Sequence, residues 1–284
     1  MKIDFVEKPL MRSPWRRRLG REYYILKRKM RDILGGTKWA KRRRVTTTFY
    51  PIKEHSSMIL RPLKDVEMYL QENKRTNLKL AIKHLNGIMI RPGETFSVWH
   101  KVGRPTASKG YLEGLVLHQG QVTKGVGGGL CQLGNLLFWM FAHTPLRITE
   151  RHRHSFDVFP DVNRNVPFGA GATLSYNYID LRVYNPTEKT YLVELWTDET
   201  HLHGRVSADV PQQESYRIEE RDHRVVTQYW GGYTRHNRIV QVIKHPDGRE
   251  HEQLLVENHA IMMYNPMLSP PANAEFETNA APRG

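Results

Sequence analysis

The chain has 284 residues, a formal net charge of +14 and a mean hydropathy of −0.60. A chain of this length can bury a large core, either in one domain or in two smaller ones. The single cysteine excludes an internal disulfide framework. No apolar run reaches the roughly 18 residues that would predict a transmembrane helix.

The positive charge is concentrated in the first 44 residues, which hold sixteen lysines and arginines and four acidic residues. We predict that residues 1–45 are a basic N-terminal arm with an amphipathic helix at 22–34, ended by Gly35-Gly36. Such a helix with Trp and Tyr favours an anionic membrane surface as the partner of residues 12–44. Nucleic acid is the disfavoured rival, and a solvated arm packed loosely on the domain is the third alternative.

The N-terminal segment also bears on the location of the protein. Charged residues interrupt every apolar stretch in residues 1–34, so no secretory signal peptide is predicted. We therefore expect the protein in the cytoplasm or bound peripherally to the inner face of the membrane.

A helix is predicted at residues 68–87, closed by Asn86-Gly87, and a short strand at 88–90. Residues 101–124 are predicted as loop and hairpin. Glycine-rich residues 125–129 then run into Cys131, and the apolar residues 136–141 predict a buried helix that starts at the cysteine. A helix start favours a lowered thiol pKa and a reactive thiolate. The alternative is a packing cysteine, since free cysteine is among the most buried residue types.

A strand is predicted at residues 150–156, and its alternation would place His152 and His154 on one face. Acyl transfer through a thioester requires at least a cysteine nucleophile and a histidine base. Zinc binding by these histidines and Cys131 has poor ligand spacing. The glycine loop lacks the Lys-Ser/Thr that completes a phosphate-binding P-loop. No metal and no cofactor is predicted.

Further strands are predicted at 172–176, 179–185 and 191–196, and a meander with a hairpin turn at 245–248 follows. The fold class is therefore α+β, with mixed and antiparallel sheets and a few helices. We predict an arm at 1–45, a main domain at 46–200, a C-terminal β meander at 201–266 packed on it, and a disordered tail at 267–284.

Three ordered motifs, within roughly residues 68–195, resemble the VanW family. They are the run at 86–97, Gly127-Gly128-Gly129-Leu130-Cys131-Gln132, and Glu150-Arg151-His152-Arg153-His154-Ser155. That family is named after an accessory protein of vancomycin-resistance clusters, and some members are regarded as similar to L,D-transpeptidases. The resemblance implies a link to cell-wall metabolism and glycopeptide resistance, with peptidoglycan stem peptides or precursors as the partner.

The first functional hypothesis is a cysteine acyl transferase, in which Cys131 attacks a peptide carbonyl and His154, or His152, moves the proton. His154 is preferred because it matches the histidine of the family motif. Oxyanion and substrate contacts are expected from a set around the helix start and the histidine run: Gly127, Gly128, Gly129, Gln132, Asn135 and Arg151.

The second hypothesis is a non-catalytic module that binds a peptide or a peptidoglycan precursor, with Cys131 only packing. The family usually has an aspartate where this chain has Gly171, and its loss favours the second hypothesis. Asp157, Asp161 and Asp180 are the candidates to supply a carboxylate instead.

Overall fold

The computed structural model describes residues 13–60, 67–118, 120–158, 166–177 and 179–268. Over these ranges it holds four α-helices and fourteen strands, mostly in antiparallel sheets. The predicted α+β fold class is confirmed. Asp161 and the predicted tail beyond residue 268 lie outside the described residues.

All four α-helices lie in the first half of the chain, and the longest strands lie in the second half. The helices are α1 (Pro14–Leu34), α2 (Met68–Leu85), α3 (Val98–Val102) and α4 (Cys131–Phe141). The strands are β1 (Lys41–Arg42), β2 (Tyr50–Met58), β3 (Ile88–Ile90), β4 (Thr95–Ser97), β5 (Glu113–His118), β6 (Gln121–Val126), β7 (Arg147–Glu150), β8 (Phe156–Asp157), β9 (Arg182–Tyr184), β10 (Tyr191–Thr197), β11 (His201–Ala208), β12 (Ser215–Thr227), β13 (Tyr233–Lys244) and β14 (Glu250–Met262).

The main core lies on an antiparallel five-stranded sheet of order β1-β3-β10-β11-β2. Helices α2 and α4 pack against this sheet, and buried residues such as Leu78, Leu137 and Val193 share one apolar cluster. Gly204 in β11 permits the close approach of α4, because a Cβ there would lie 2.6 Å from the Cε of Met140. The position of α4 is therefore fixed by the sheet beneath it.

Three smaller sheets complete the fold. Strands β4, β9 and β7 form one, β5 and β6 form a hairpin, and β12, β13, β14 and β8 form the third, in which β8 runs parallel to β14. Strand β11 pairs with β10 along its whole length, so the residues after 200 begin within the five-stranded sheet. The three long strands of the four-stranded sheet follow, beginning with β12 at Ser215.

The N-terminal helix predicted at residues 22–34 is present, and it begins earlier, at Pro14. Ser13 caps it by accepting a hydrogen bond from the Arg16 N–H, and proline suits the first helical position because its missing N–H has no helical partner to lose. Gly35 follows the helix as its C-cap, as the sequence predicts. No helix in the described ranges is both long and apolar enough to span a bilayer.

Two strand predictions are wrong. Strand β7 ends at Glu150, residues 151–154 have no regular strand, and pairing resumes only at β8. His152 is exposed whereas His154 is half-buried, so the two do not share an environment. Residues 172–174 likewise lack strand structure, and Ser175 forms only an isolated bridge with Ile179.

Candidate functional site

Helix α4 begins at Cys131, directly after a turn over residues 127–130, as the sequence predicts. Gly127 and Gly129 have φ values of 78° and 89°, which side-chain-bearing residues rarely adopt. Gly128 packs against β5, where a Cβ would lie 2.2 Å from the carbonyl carbon of Gly114. The glycines therefore serve the tight turn and its contact with the hairpin.

Four of the main-chain N–H groups around the predicted oxyanion site are donors within the protein. They reach carbonyl oxygens at 2.9 to 3.1 Å: Gly127 to Leu112, Gly128 to Gly125, Gly129 to Leu115, and Gln132 to Gly129. An oxyanion at these groups would have to displace the hydrogen bonds that form the turn and the first residues of α4.

The Cys131 thiol is held against the main chain of Leu174. Its Sγ lies 3.5 Å from the Leu174 nitrogen, from which it accepts a hydrogen bond, and 3.7 Å from the Leu174 oxygen, to which it donates. Burial raises the pKa of this thiol, and the Leu174 N–H opposes the rise without cancelling it. The prediction of a lowered pKa is therefore wrong in direction, because desolvation outweighs the helix start.

The histidine run meets the cysteine helix through the main chain of residues 172–174. The Thr173 N–H donates to the His152 oxygen at 2.8 Å, one residue before the contact between Leu174 and Cys131. The His152 imidazole points toward Glu150, with Nε2 3.7 Å from Oε1. Burial, followed by the charge of Arg153, lowers the pKa of His154, which favours the neutral imidazole.

Arg151, predicted as a substrate contact, ties the chain to itself. Its Nε donates to the Gly171 oxygen at 2.8 Å, and its Nη2 donates to the Gly169 oxygen and, at 3.0 Å, to Asn258 Oδ1. The guanidinium also lies 5.3 Å from the ring centre of Phe138. Burial lowers the pKa of Arg151 to about 10. These contacts explain why residues 151–154 leave the strand geometry.

Gln132 and Asn135 also bind the protein rather than open space. The Gln132 amide donates to Ser57 Oγ and to the Met58 oxygen, each at 2.8 Å, and so joins α4 to β2. Asn135 Oδ1 accepts from the Ala172 N–H at 3.0 Å. A Cβ on residue 171 would lie 2.3 Å from that same oxygen. The absence of a side chain at Gly171 therefore leaves room for the Asn135 amide.

A half-buried group of charged residues surrounds Asp180, which was the only one of them predicted as a carboxylate candidate. We name it the charge cluster: Arg28, Asp32, Glu150, Asp180 and Arg182. Its centre is Asp180, which is fully buried and accepts hydrogen bonds from Ser97 Oγ at 2.6 Å and from the Trp99 N–H at 3.2 Å. Burial raises the pKa of Asp180, against the effects of Ser97 and Arg182.

Sequence signals for this cluster exist in part, because Ser97 and Glu150 belong to two of the three motifs. The remaining carboxylate candidate, Asp157, lies elsewhere, beside Arg235 at 3.5 Å and the Tyr264 hydroxyl at 3.1 Å. Within the described ranges, no three His, Cys, Asp or Glu side chains are grouped so that they could hold a metal ion.

The fold is α+β, and nearly half of the chain is similar in sequence to the VanW family. Residues 73–207 match the family model described as VanW like protein. This span includes the cysteine helix, the histidine run and all of the charge cluster except its two α1 residues.

Two curated relatives are similar to this chain. The Vancomycin B-type resistance protein VanW of Enterococcus faecalis (strain ATCC 700802 / V583) is 45% identical over 152 residues, which cover 54% of this chain and 55% of that protein. The Uncharacterized protein YoaR of Bacillus subtilis (strain 168) is 32% identical over 122 residues, which cover 43% of this chain and 39% of that protein. The matches thus span about half of the first relative and less of the second. No solved structure matches the chain.

Proposed function

We propose that this protein is an accessory protein of glycopeptide resistance that binds a peptide or a peptidoglycan precursor without catalysing acyl transfer. The link to resistance is supported by its similarity to a relative named a vancomycin resistance protein. The proposed absence of acyl-transfer catalysis rests on one observation: the Cys131 thiol both donates a hydrogen bond to the Leu174 main chain and accepts one from it.

A nucleophilic cysteine needs an accessible thiolate at working pH. Burial raises the pKa of the Cys131 thiol above its ordinary value, which disfavours the thiolate. Formation of a thioester would also require Sγ to leave the Leu174 main chain. Both features support a packing role for the cysteine.

A cysteine acyl transferase is the second candidate, and the state of His154 favours it. Burial lowers the pKa of this imidazole and so favours its neutral form, which is the form that can accept a proton. In this alternative, substrate binding would have to bring the thiol and the imidazole into contact and replace the hydrogen bonds to Leu174.

The two candidates are separated by giving a synthetic peptidoglycan stem peptide to the wild type and to Cys131→Ser. We expect calorimetry to give dissociation constants within about twofold of each other, since serine retains both hydrogen bonds. Mass spectrometry should find the peptide unaltered and no adduct on the protein. A covalent peptide adduct in the wild type alone would establish the transferase, and no binding by either protein would overturn the assigned ligand.

A further inference from the structure

Helix α1 packs on the rest of the protein with its charged side. Glu22 pairs with Arg104 at 2.8 Å, Asp32 pairs with Arg182 at 2.6 Å, and Arg28 pairs with Glu150. Ile25, on the same side, is buried. These contacts fix one side of the helix against the domain and determine which side points outward.

The outward side of α1 is apolar. Seven side chains, between 50% and 78% exposed, follow helical spacing: Trp15, Leu19, Tyr23, Leu26, Met30, Ile33 and Leu34. At 3.6 residues per turn they fall within an arc of about 100°. We call this set the outer stripe. An amphipathic helix normally buries such a stripe on its own domain, and α1 does the opposite.

Exposed cations border the outer stripe. The helix has eight basic and two acidic residues, a net charge of +6. Both acidic residues are paired with arginines of the domain. The basic residues directed to solvent are Arg16, Arg17, Arg18, Arg21, Lys27, Lys29 and Arg31. The outward surface is thus apolar at its centre and positive at its edges.

We propose that α1 lies in the interface of an anionic bilayer, with the outer stripe among the acyl chains and the bordering cations at the lipid headgroups. Trp and Tyr suit this boundary, because their rings have an apolar body and a polar edge. Nucleic acid would account for the cations and leave the outer stripe in water. A second α1 would cover the stripe and bring two helices of net charge +6 together. The lipid surface is the partner that satisfies both features.

The test is sedimentation of the full chain with vesicles, comparing phosphatidylcholine alone with phosphatidylcholine containing phosphatidylglycerol. We expect binding only to the anionic vesicles, and weaker binding as salt rises. The double variant Leu26→Gln, Ile33→Gln should lower the partition coefficient about tenfold or more. Both side chains are exposed, so the substitutions leave the core intact.

The matched control replaces exposed apolar residues of other elements, Val210→Gln with Leu254→Gln, and it should bind vesicles as the wild type does. Lys27→Gln with Lys29→Gln should weaken binding to anionic vesicles. Equal binding by the stripe variant and the control would overturn the proposal, as would an absence of vesicle binding. Self-association in ultracentrifugation that only the stripe variant abolishes would assign the stripe to a second copy and also overturn it.

Discussion

The charged Arg151 side chain lies largely inside the protein, where it donates hydrogen bonds to three oxygens. Gly169, Gly171 and Asn258 each receive one of its N–H groups. A residue of this type was predicted to bind a substrate carboxylate. Its contacts indicate instead that it holds residues 169–171 against α4.

Replacing Arg151 by methionine should lower the free energy of unfolding by about 3 kcal/mol, because three oxygens lose a charged donor in a poorly hydrated site. Urea denaturation measures this change. Arg147→Met is the matched control, since Arg147 is exposed and its side chain lies over the Tyr184 ring. The control substitution should lower the free energy of unfolding by less than about 1 kcal/mol. An Arg151→Met protein as stable as the control would return Arg151 to the role of a substrate contact.

Helix α4 contains Gly134, although glycine has a low intrinsic helix propensity, because this position has no room for a side chain. A Cβ on Gly134 would lie 2.5 Å from the Ala172 oxygen and 2.9 Å from Leu174 Cγ. Gly20 of α1 provides a contrast, because a Cβ there would meet no atom within 4 Å. The same substitution should therefore have opposite effects in the two helices.

Gly134→Ala should lower the free energy of unfolding by about 1 to 3 kcal/mol through overpacking. Gly20→Ala should raise it by up to about 1 kcal/mol, since alanine is the better helix former. Chemical denaturation of both variants checks the pair. If Gly134→Ala proved as stable as Gly20→Ala, segment 172–174 would not pack on α4 as described.

The docking of α1 should depend on pH through Asp32. Burial acts to raise the pKa of Asp32, but its hydrogen bonds and charge interaction with Arg182 hold the pKa below its ordinary value of 3.8. Folding therefore favours the ionised form. The resulting stabilisation is fully present above that ordinary value and is lost as pH falls through the lower, folded pKa.

At pH 7, Asp32→Asn should imitate the acid state by weakening the contact with Arg182. We expect amide hydrogen exchange in α1 to become about fivefold faster. Asp247→Asn is the control, because Asp247 pairs with Arg249 in an exposed turn of the four-stranded sheet. Unchanged exchange in α1 of the Asp32 variant would contradict the anchoring role of this pair.

The sequence predicted the elements whose signals are local. The sequence signals of the glycine turn before Cys131, of helix α2 with its C-cap and of the turn at residues 245–248 come from neighbouring residues, and all three elements are present. The strand at 150–156 failed because Arg151 is bound by residues about 20 and 107 positions away. The charge cluster is still less local, since Arg28 and Glu150 are 122 positions apart. Ion pairs at such separations leave no periodic signal.

At the scale of the whole molecule, asparagines join the four-stranded sheet to the site. The Asn237 amide donates to the Phe168 oxygen at 2.7 Å, and the Asn258 amide donates to Asn237 Oδ1 at 2.8 Å. Since Asn258 also accepts from Arg151, a continuous chain of hydrogen bonds runs from β13 to residues 169–171. The C-terminal strands therefore support the same segment that contacts Cys131.

A double-mutant cycle with Arg151→Met and Asn258→Ala should give a coupling energy of about 1 kcal/mol or more. Pairing Arg151→Met with Asp222→Ala is the control, because Asp222 is exposed and bound to Arg238. Those two effects should add within about 0.5 kcal/mol. Additive effects in the first cycle would show that the four-stranded sheet and the segment held by Arg151 are energetically independent.

The packing role of Cys131 is the central claim, and the alkylation rate of its thiol as a function of pH tests that role most directly. The intact protein and His154→Ala should react slowly, with the same midpoint above the ordinary thiol value, because burial rather than a histidine sets the pKa. A midpoint well below that value in the intact protein, rising in His154→Ala, would contradict the account. That result would establish a cysteine–histidine pair and make acyl transfer the function to pursue.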